Sequence, residues 1–264
     1  HMQEHGLDLG KLHIVPNGVA LDDWAHVPQS LVPEAAARLA TLRRQKRLIV
    51  GYAGSHGLPN ALDVLLDAAA LLKDEPFSFV LVGDGHEKQR LAARVRDEGL
   101  NHVVMLDPVP KAQIPALLAM FDIAYIGWQR VPIYRFGIAP NKLMDYMMAG
   151  CAVLHAVEAG NDPVAEAGAG FTVAPESPEA VADGLQRPYC GPNADIRVAG
   201  WLPGGGAQTP SLALLPMRVG AAPQAFGLLV LGSPDPARFQ SGMGTAFLER
   251  IAEVASAALS RLLG

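Results

Sequence analysis

Between Leu48 and Val157 the chain repeats one pattern: a short apolar run, a loop rich in glycine, proline or asparagine, then residues with helical spacing of their apolar members. The runs are Leu48–Ala53, Phe77–Val82, Val103–Leu106, Asp122–Trp128 and Cys151–Val157. Runs this short and this continuously apolar suit strands buried on both faces. The intervening stretches, Asn60 to about Leu72, Glu87 to Glu98 and Ile114 to Phe121, have the spacing of helices. Strands that alternate with helices imply a parallel sheet, because each parallel pair needs a crossover. The expected class is therefore α/β, a Rossmann-like parallel sheet flanked by helices, with an alanine-rich helix over 34–45 leading into it.

Composition narrows the function. At 50 % hydrophobic and 18 % charged, 264 residues suffice for one large core or two modest ones. The net charge of -5, with lysines and arginines dispersed, argues against a nucleic-acid surface, which needs clustered cations. The one basic cluster, Arg43-Arg44-Gln45-Lys46-Arg47, is expected to be a solvated helix end. Cys151 and Cys190 are too few for a disulfide framework or a metal site, which points to a reducing cytoplasm. No run is long enough to span a membrane, and no signal peptide is visible.

Gly137-Ile138-Ala139-Pro140-Asn141-Lys142, continuing to Gly150, has the form of a loop delivering backbone into a helix start, with Gly150 at its stop. A helix N-terminus offers unpaired N–H groups and partial positive charge, and Lys142 adds a full cation, so an anion could dock there. An ordinary capped surface helix is the alternative. Gly54-Ser55-His56-Gly57 follows the first strand, where open α/β sheets bind ligands. His56 is either a ligand-facing group or a solvated loop histidine. Gly83-Asp84-Gly85 reads as a chain reversal, and Pro108-Val109-Pro110 as a stiffened connection or a binding loop. Arg130 and Arg135 are candidates to assist Lys142, or are solvated. Gly160-Asn161-Asp162-Pro163 caps a short helix, a small strand ends at Val173, and Ser177-Pro178-Glu179 starts a helix to about Leu185.

After Gln186 the alternation stops. Ser211–Val219 and Phe226–Ser233 read as an antiparallel pair, and Thr245 to Leu263 as an amphipathic helix. The expected division is therefore 1–186 and 187–264, the second part α+β.

Pro140-Asn141-Lys142-Leu143, then Asp145, Tyr146-Met147 and Ala149-Gly150, resembles the donor-site helix of the retaining glycosyltransferases of family four, enzymes of two-domain GT-B architecture. Pro16-Asn17-Gly18-Val19 and Val82-Gly83-Asp84-Gly85 resemble the same family, over roughly Lys11 to Leu185, and the likeness is to its bacterial surface-polysaccharide and lipopolysaccharide branch. The resemblance implies a donor half that takes a nucleotide-sugar, a UDP-sugar, with no cofactor and no metal. It places Gly54, Ser55, His56 and Gly57 at the diphosphate, with Ser55 and Asn60 or Ala61 standing where relatives carry basic residues. It places Pro108, Val109 and Pro110 at the base, and Gly137, Ile138, Asn141 and Lys142 around the phosphates. Lys142 and Asp145 take the catalytic roles, Lys142 on the departing diphosphate and Asp145 on sugar or ribose hydroxyls. Gly137 stands where many relatives carry the first of two glutamates. The acceptor-binding half would precede this region, so donor binding with little turnover is expected, in an enzyme whose parent is cytoplasmic or peripheral at the inner membrane.

The tail resembles the second half of a bacterial GAF-like domain of unknown function, through Pro188-Tyr189-Cys190-Gly191, Gly227–Phe239 and Gly242-Met243-Gly244-Thr245. That likeness implies a fusion of unrelated pieces. A non-enzymatic chimeric scaffold forming a homo-oligomer through its tail is the alternative to a donor-binding protein.

Overall fold

The computed structural model describes residues 4–6, 8, 10, 13, 17–25, 29–45, 47–186, 189–192, 202–206, 208–218, 225–240 and 246–259. After a short turn α1 (Asp22–Ala25) and α2 (Pro33–Arg44), the elements alternate: β1 (Leu48–Ala53), α3 (Leu62–Leu71), β2 (Phe77–Val82), α4 (Lys88–Asp97), β3 (Val103–Leu106), α5 (Ile114–Leu118), β4 (Ile123–Gly127), α6 (Asn141–Met148), β5 (Ala152–Ala156), α7 (Pro163–Glu166), β6 (Gly170–Thr172) and α8 (Pro178–Gln186). β1 to β6 form one sheet in the order β3-β2-β1-β4-β5-β6, every pair parallel. The five apolar runs and the small strand ending near Val173 are all present as strands, with ends moved by a residue or so.

Period-two alternation divides the sheet between two cores. Val50, Tyr52, Phe79 and Leu81 face α3, α4 and α8, whose Leu65, Leu66, Leu91 and Val181 are buried against them. Ile49, Val80, Ala124 and Ile126 face α2, α5, α6 and α7, which bury Leu39, Leu117, Leu143 and Val164. The helix following β1 therefore lies on one face and the helix following β4 on the other. β1 and β4 are neighbours, so their outgoing loops diverge and leave a crevice at the carboxyl edge of the sheet.

The basic cluster is a solvated helix end at Arg44, as expected, but not at Arg43 or Arg47. Arg43 donates to the Asp122 carboxylate (2.9 Å) and to the Met120 carbonyl (2.7 Å), while Asp122 also accepts the Ile49 N–H at 2.8 Å. Arg47 donates to Ser78 Oγ (2.9 Å) and to the Glu75 carbonyl (2.8 Å). Both guanidiniums therefore satisfy polar groups at the amino edge of the sheet, and neither is left to solvent. Helix α3 also begins later than its spacing suggests: a 3-10 turn, Leu58–Asn60, is followed by Ala61 at φ +47° before the α-helix starts.

The tail forms a second sheet, β7 (Tyr189–Pro192), β8 (Ser211–Arg218) and β9 (Ala225–Ser233), in the order β7-β8-β9 and antiparallel throughout. The expected antiparallel pair is β8 and β9, while β7 had no signal in its four residues. α9 (Ala246–Leu259) buries Leu248 and Ala252 against Ala213 and Leu215. The runs Leu12–Val15 and Gly242–Thr245, and the helix end beyond Leu259, lie wholly or in part outside the described residues.

Candidate functional site

The crevice is built from three loops. The first leaves β1 as Gly54-Ser55-His56-Gly57 and is joined to the second, Gly83-Asp84-Gly85 after β2. The Gly54 N–H donates to the Val82 carbonyl (3.0 Å), the His56 N–H to the Asp84 carbonyl (2.8 Å) and the Glu87 N–H to the His56 carbonyl (3.0 Å). Close approach of two backbones is what the glycines allow. A Cβ on Gly83 would lie 1.9 Å from the Gly54 carbonyl oxygen, and one on Gly85 2.5 Å from that of His56. Gly83-Asp84-Gly85 therefore does more than reverse the chain.

His56 is fully buried in this junction, and neither ring nitrogen has a hydrogen-bond partner among the described residues. It is not a solvated loop histidine. Burial, and secondarily the nearby Lys88 cation, lowers its pKa, so the imidazole is neutral and keeps one donor and one acceptor unspent.

The third loop runs from β4 to α6. Pro140 is extended at the helix entry, and α6 begins at Asn141. Leu143 N–H already reaches the Pro140 carbonyl (3.1 Å), which leaves the Asn141 and Lys142 amides ahead of any intrahelical acceptor. Lys142 Nζ donates to Asn60 Oδ1 (2.8 Å) and to the Tyr52 hydroxyl (3.1 Å), and sits 4.5 Å over the Tyr52 ring. The arrangement is relayed further: the Tyr52 hydroxyl donates to the Ser55 carbonyl (2.7 Å) and Asn60 Nδ2 donates to the same oxygen (2.9 Å). Burial brings the ammonium down to about 8. A desolvated cation with a donor to spare, beside open helix amides, can take an anionic oxygen.

The structure thus brings Gly54, Ser55, Asn141 and Lys142 together, with Asp145 half-buried one turn further along α6. Gly137 and Ile138 adjoin the site, but their amides are spent. The Gly137 N–H donates to the Tyr134 carbonyl (2.9 Å) and that of Ile138 to Asn161 Oδ1 (2.7 Å). Gly137 has φ +103°, backbone that a glutamate adopts only under strain.

Two arginines go elsewhere: Arg130 pairs with Glu158 (3.1 Å), and Arg135 stacks on Phe136 (4.5 Å) and donates to the Pro132 carbonyl. Pro108 and Pro110 are exposed beyond β3, two strands away from β1, with Val109 packed inward. On that side a cavity of about 580 Å³ is walled by Asp84, Gly85, His86, Lys88, Gln89 and Asp107, with Lys88 paired to Asp107 at 2.5 Å. Lys142 is not among its walls, its ammonium being turned onto Tyr52 and Asn60.

Two residues escaped the sequence reading. Tyr52 looked like one more apolar strand residue, although a hydroxyl at the carboxyl end of a buried strand is itself a signal. Asn161 looked like part of a helix cap, whereas Asp162 is the cap, accepting the Ala165 N–H at 3.1 Å.

Comparisons with known proteins agree with the fold. The family described as glycosyl transferases group 1 matches residues 47–189, and a family of unknown function, DUF484, matches residues 184–263. The putative colanic acid biosynthesis glycosyl transferase WcaI of Escherichia coli (strain K12) is 29 % identical over 188 residues, 70 % of this chain and 45 % of that protein. Among solved structures, HepE of Anabaena in complex with UDP-glucose superposes with a TM-score of 0.51 at 20 % identity, over 69 % of this chain and 48 % of that one. WaaG, a glycosyltransferase involved in lipopolysaccharide biosynthesis, gives 0.52 at 18 %, over 69 % and 49 %. The chain spans about half the length of these relatives. With over half of its residues matched by the family and the six-stranded parallel fold shared, this chain belongs to the group 1 glycosyl transferases.

Proposed function

We propose that residues 1–186 form the nucleotide-sugar half of a retaining glycosyltransferase of bacterial surface polysaccharide or lipopolysaccharide assembly, with a UDP-sugar as donor. The observation that carries this reading is the Lys142 ammonium, held over Tyr52 at the start of α6 and beside the β1–β4 crevice. There it can neutralise the charge that develops on a departing diphosphate. His56, buried and neutral, backs the Gly54–Gly57 loop that would meet the diphosphate and supplies no cation in place of the absent basic residues. Asp145 holds sugar or ribose hydroxyls, and the Pro108–Pro110 loop receives the base. The complex of HepE with UDP-glucose supports the choice of nucleotide.

Transfer also requires an acceptor held in line across a cleft, and the described residues supply one wall of it. This 264-residue chain by itself is therefore expected to bind donor with little turnover. A second reading, a non-enzymatic scaffold that self-associates through residues 187–264, is favoured by the apolar side chains α9 leaves in solvent, Phe247 (74 % exposed) and Val254 (62 %). Among the described residues no helix is long and apolar enough to cross a membrane.

A thermal-shift series with UDP, GDP and their sugars tests the first reading. A ligand at about 100 times its Kd adds about 2.7 kcal/mol of stability, and Lys142→Ala should abolish most of that gain. No shift with any nucleotide, together with no effect of Lys142→Ala, would leave the scaffold alone.

A further inference from the structure

Two asparagine side chains hold the loop that feeds α6: Asn17 Nδ2 donates to the Ala139 carbonyl (2.6 Å), and Asn161 reaches Ile138 from the loop after β5, the strand beside β4. Asn161 faces the peptide edge of Ile138, accepting its N–H at Oδ1 (2.7 Å) and donating Nδ2–H to its carbonyl (3.0 Å). This two-point pairing is what a neighbouring strand would make, and having one donor and one acceptor on the same edge fixes which way the carboxamide points. Gly160 packs as tightly beside it. Its N–H donates to the Tyr134 carbonyl at 2.9 Å, and a Cβ there would lie 2.1 Å from the Arg135 carbonyl oxygen. The fit is close on Gly137 too, where a Cβ would come 3.3 Å from Asn161 Oδ1.

Asn161 is itself anchored. Its neighbour Asp162 caps α7 and lies 3.6 Å from Nδ1 of His155, a fully buried residue of β5 whose ring also meets Thr172 Oγ1 of β6 at 3.1 Å. The position of the loop is thereby referred to β5 and β6, and the loop's other end is the entry to α6.

We propose that Asn161 is a positioning residue of the anion site: its paired hydrogen bonds set the Gly137-Ile138 backbone and so aim the Asn141 and Lys142 amides. The proposal rests on reading the start of α6 as the diphosphate site. Asn161 touches no ligand in this scheme, and the Ile138 amide it occupies is withheld from the phosphates. Sites of this kind lose affinity when their supporting hydrogen bonds go, because a donor displaced by about 1 Å no longer reaches.

The test uses the full chain and its Asn161→Ala and Asn161→Asp variants, with UDP titrated calorimetrically and amide hydrogen exchange followed in the free protein. Asn161→Ala removes both hydrogen bonds, Asn161→Asp only the donated one. The expected result is UDP binding weakened about three- to tenfold in Asn161→Ala, with Asn161→Asp between it and the parent, and melting temperatures within about 2 °C. Exchange at Ile138 and at Leu143, the first hydrogen-bonded amide of α6, should quicken about tenfold while β1 and β2 amides stay protected. Unchanged exchange at Ile138 and in α6 overturns the proposal whether or not UDP binds. Affinity that falls only in step with the melting temperature overturns it too. If the parent chain fails to bind UDP, the nucleotide reading falls with the proposed role, and exchange still decides whether the clamp exists.

Discussion

Lys142 holds its proton less tightly in the folded chain than in the unfolded one, where a lysine titrates near 10.5, because burial brings it down to about 8. Between those values the unfolded state binds more protons, so this residue's contribution makes stability rise with pH across the window, and its penalty is present in full below about 8. Anion binding has the opposite sign, since it needs the ammonium. The last ionisation of a terminal phosphate is over by roughly pH 7. UDP affinity measured by calorimetry should therefore hold steady to about pH 7.5 and decline as pH passes 8, and Lys142→Met should flatten the profile. Gly137 gives a second expectation. Gly137→Glu would add a carboxylate beside the start of α6, yet with φ at +103° and Asn161 alongside it should cost about 1–3 kcal/mol in urea denaturation and should not improve UDP binding. Lys142 was legible in the sequence because a cation at a helix start has a local physical meaning. Asn161 was not, because its partner Ile138 lies 23 residues away and nothing local distinguishes it from a capping residue. His56 was legible as a candidate, but its burial depends on Gly83 and Gly85, which the sequence could not bring to it.

At the scale of elements, the β1 and β2 loops act as one body, since three backbone hydrogen bonds and two glycines join them. Gly83→Ala places a methyl group 1.9 Å from a backbone oxygen at a φ of +148°, so one loop must move. Guanidinium denaturation should show a loss of about 2–4 kcal/mol, and UDP binding should weaken more than in a surface glycine variant such as Gly99→Ala, where a Cβ meets nothing within 4 Å. The strands were readable because parallel strands buried on both faces leave continuous apolar runs. β7 was not, since its Tyr-Cys-Gly-Pro becomes a strand only by pairing with β8, a tertiary contact with no counterpart in local propensity. Likewise the short α5 ends at Leu118 although apolar spacing continues to Phe121, which is buried against Gly51 rather than carried on the helix.

The whole molecule joins a parallel sheet, whose parallel pairing was implicit in its crossovers although its strand order was not, to a three-stranded sheet with one helix. α9 buries Leu248 and Ala252 and leaves Phe247 and Val254 in water, a stripe about two turns long. If the tail associates, light scattering should return about twice the 27.9 kDa chain mass, and Phe247→Ser with Val254→Ser should return the single-chain value without changing UDP binding. Lys142 has a consequence at this scale as well. Among the described residues the oxygens that its ammonium meets, those of Tyr52 and Asn60, are neutral, so they solvate this charge without cancelling it. Dissolved counterions are left to balance it: sulfate or phosphate in a buffer will compete for the same position, and a nucleotide's apparent strength will depend on which salt it must displace.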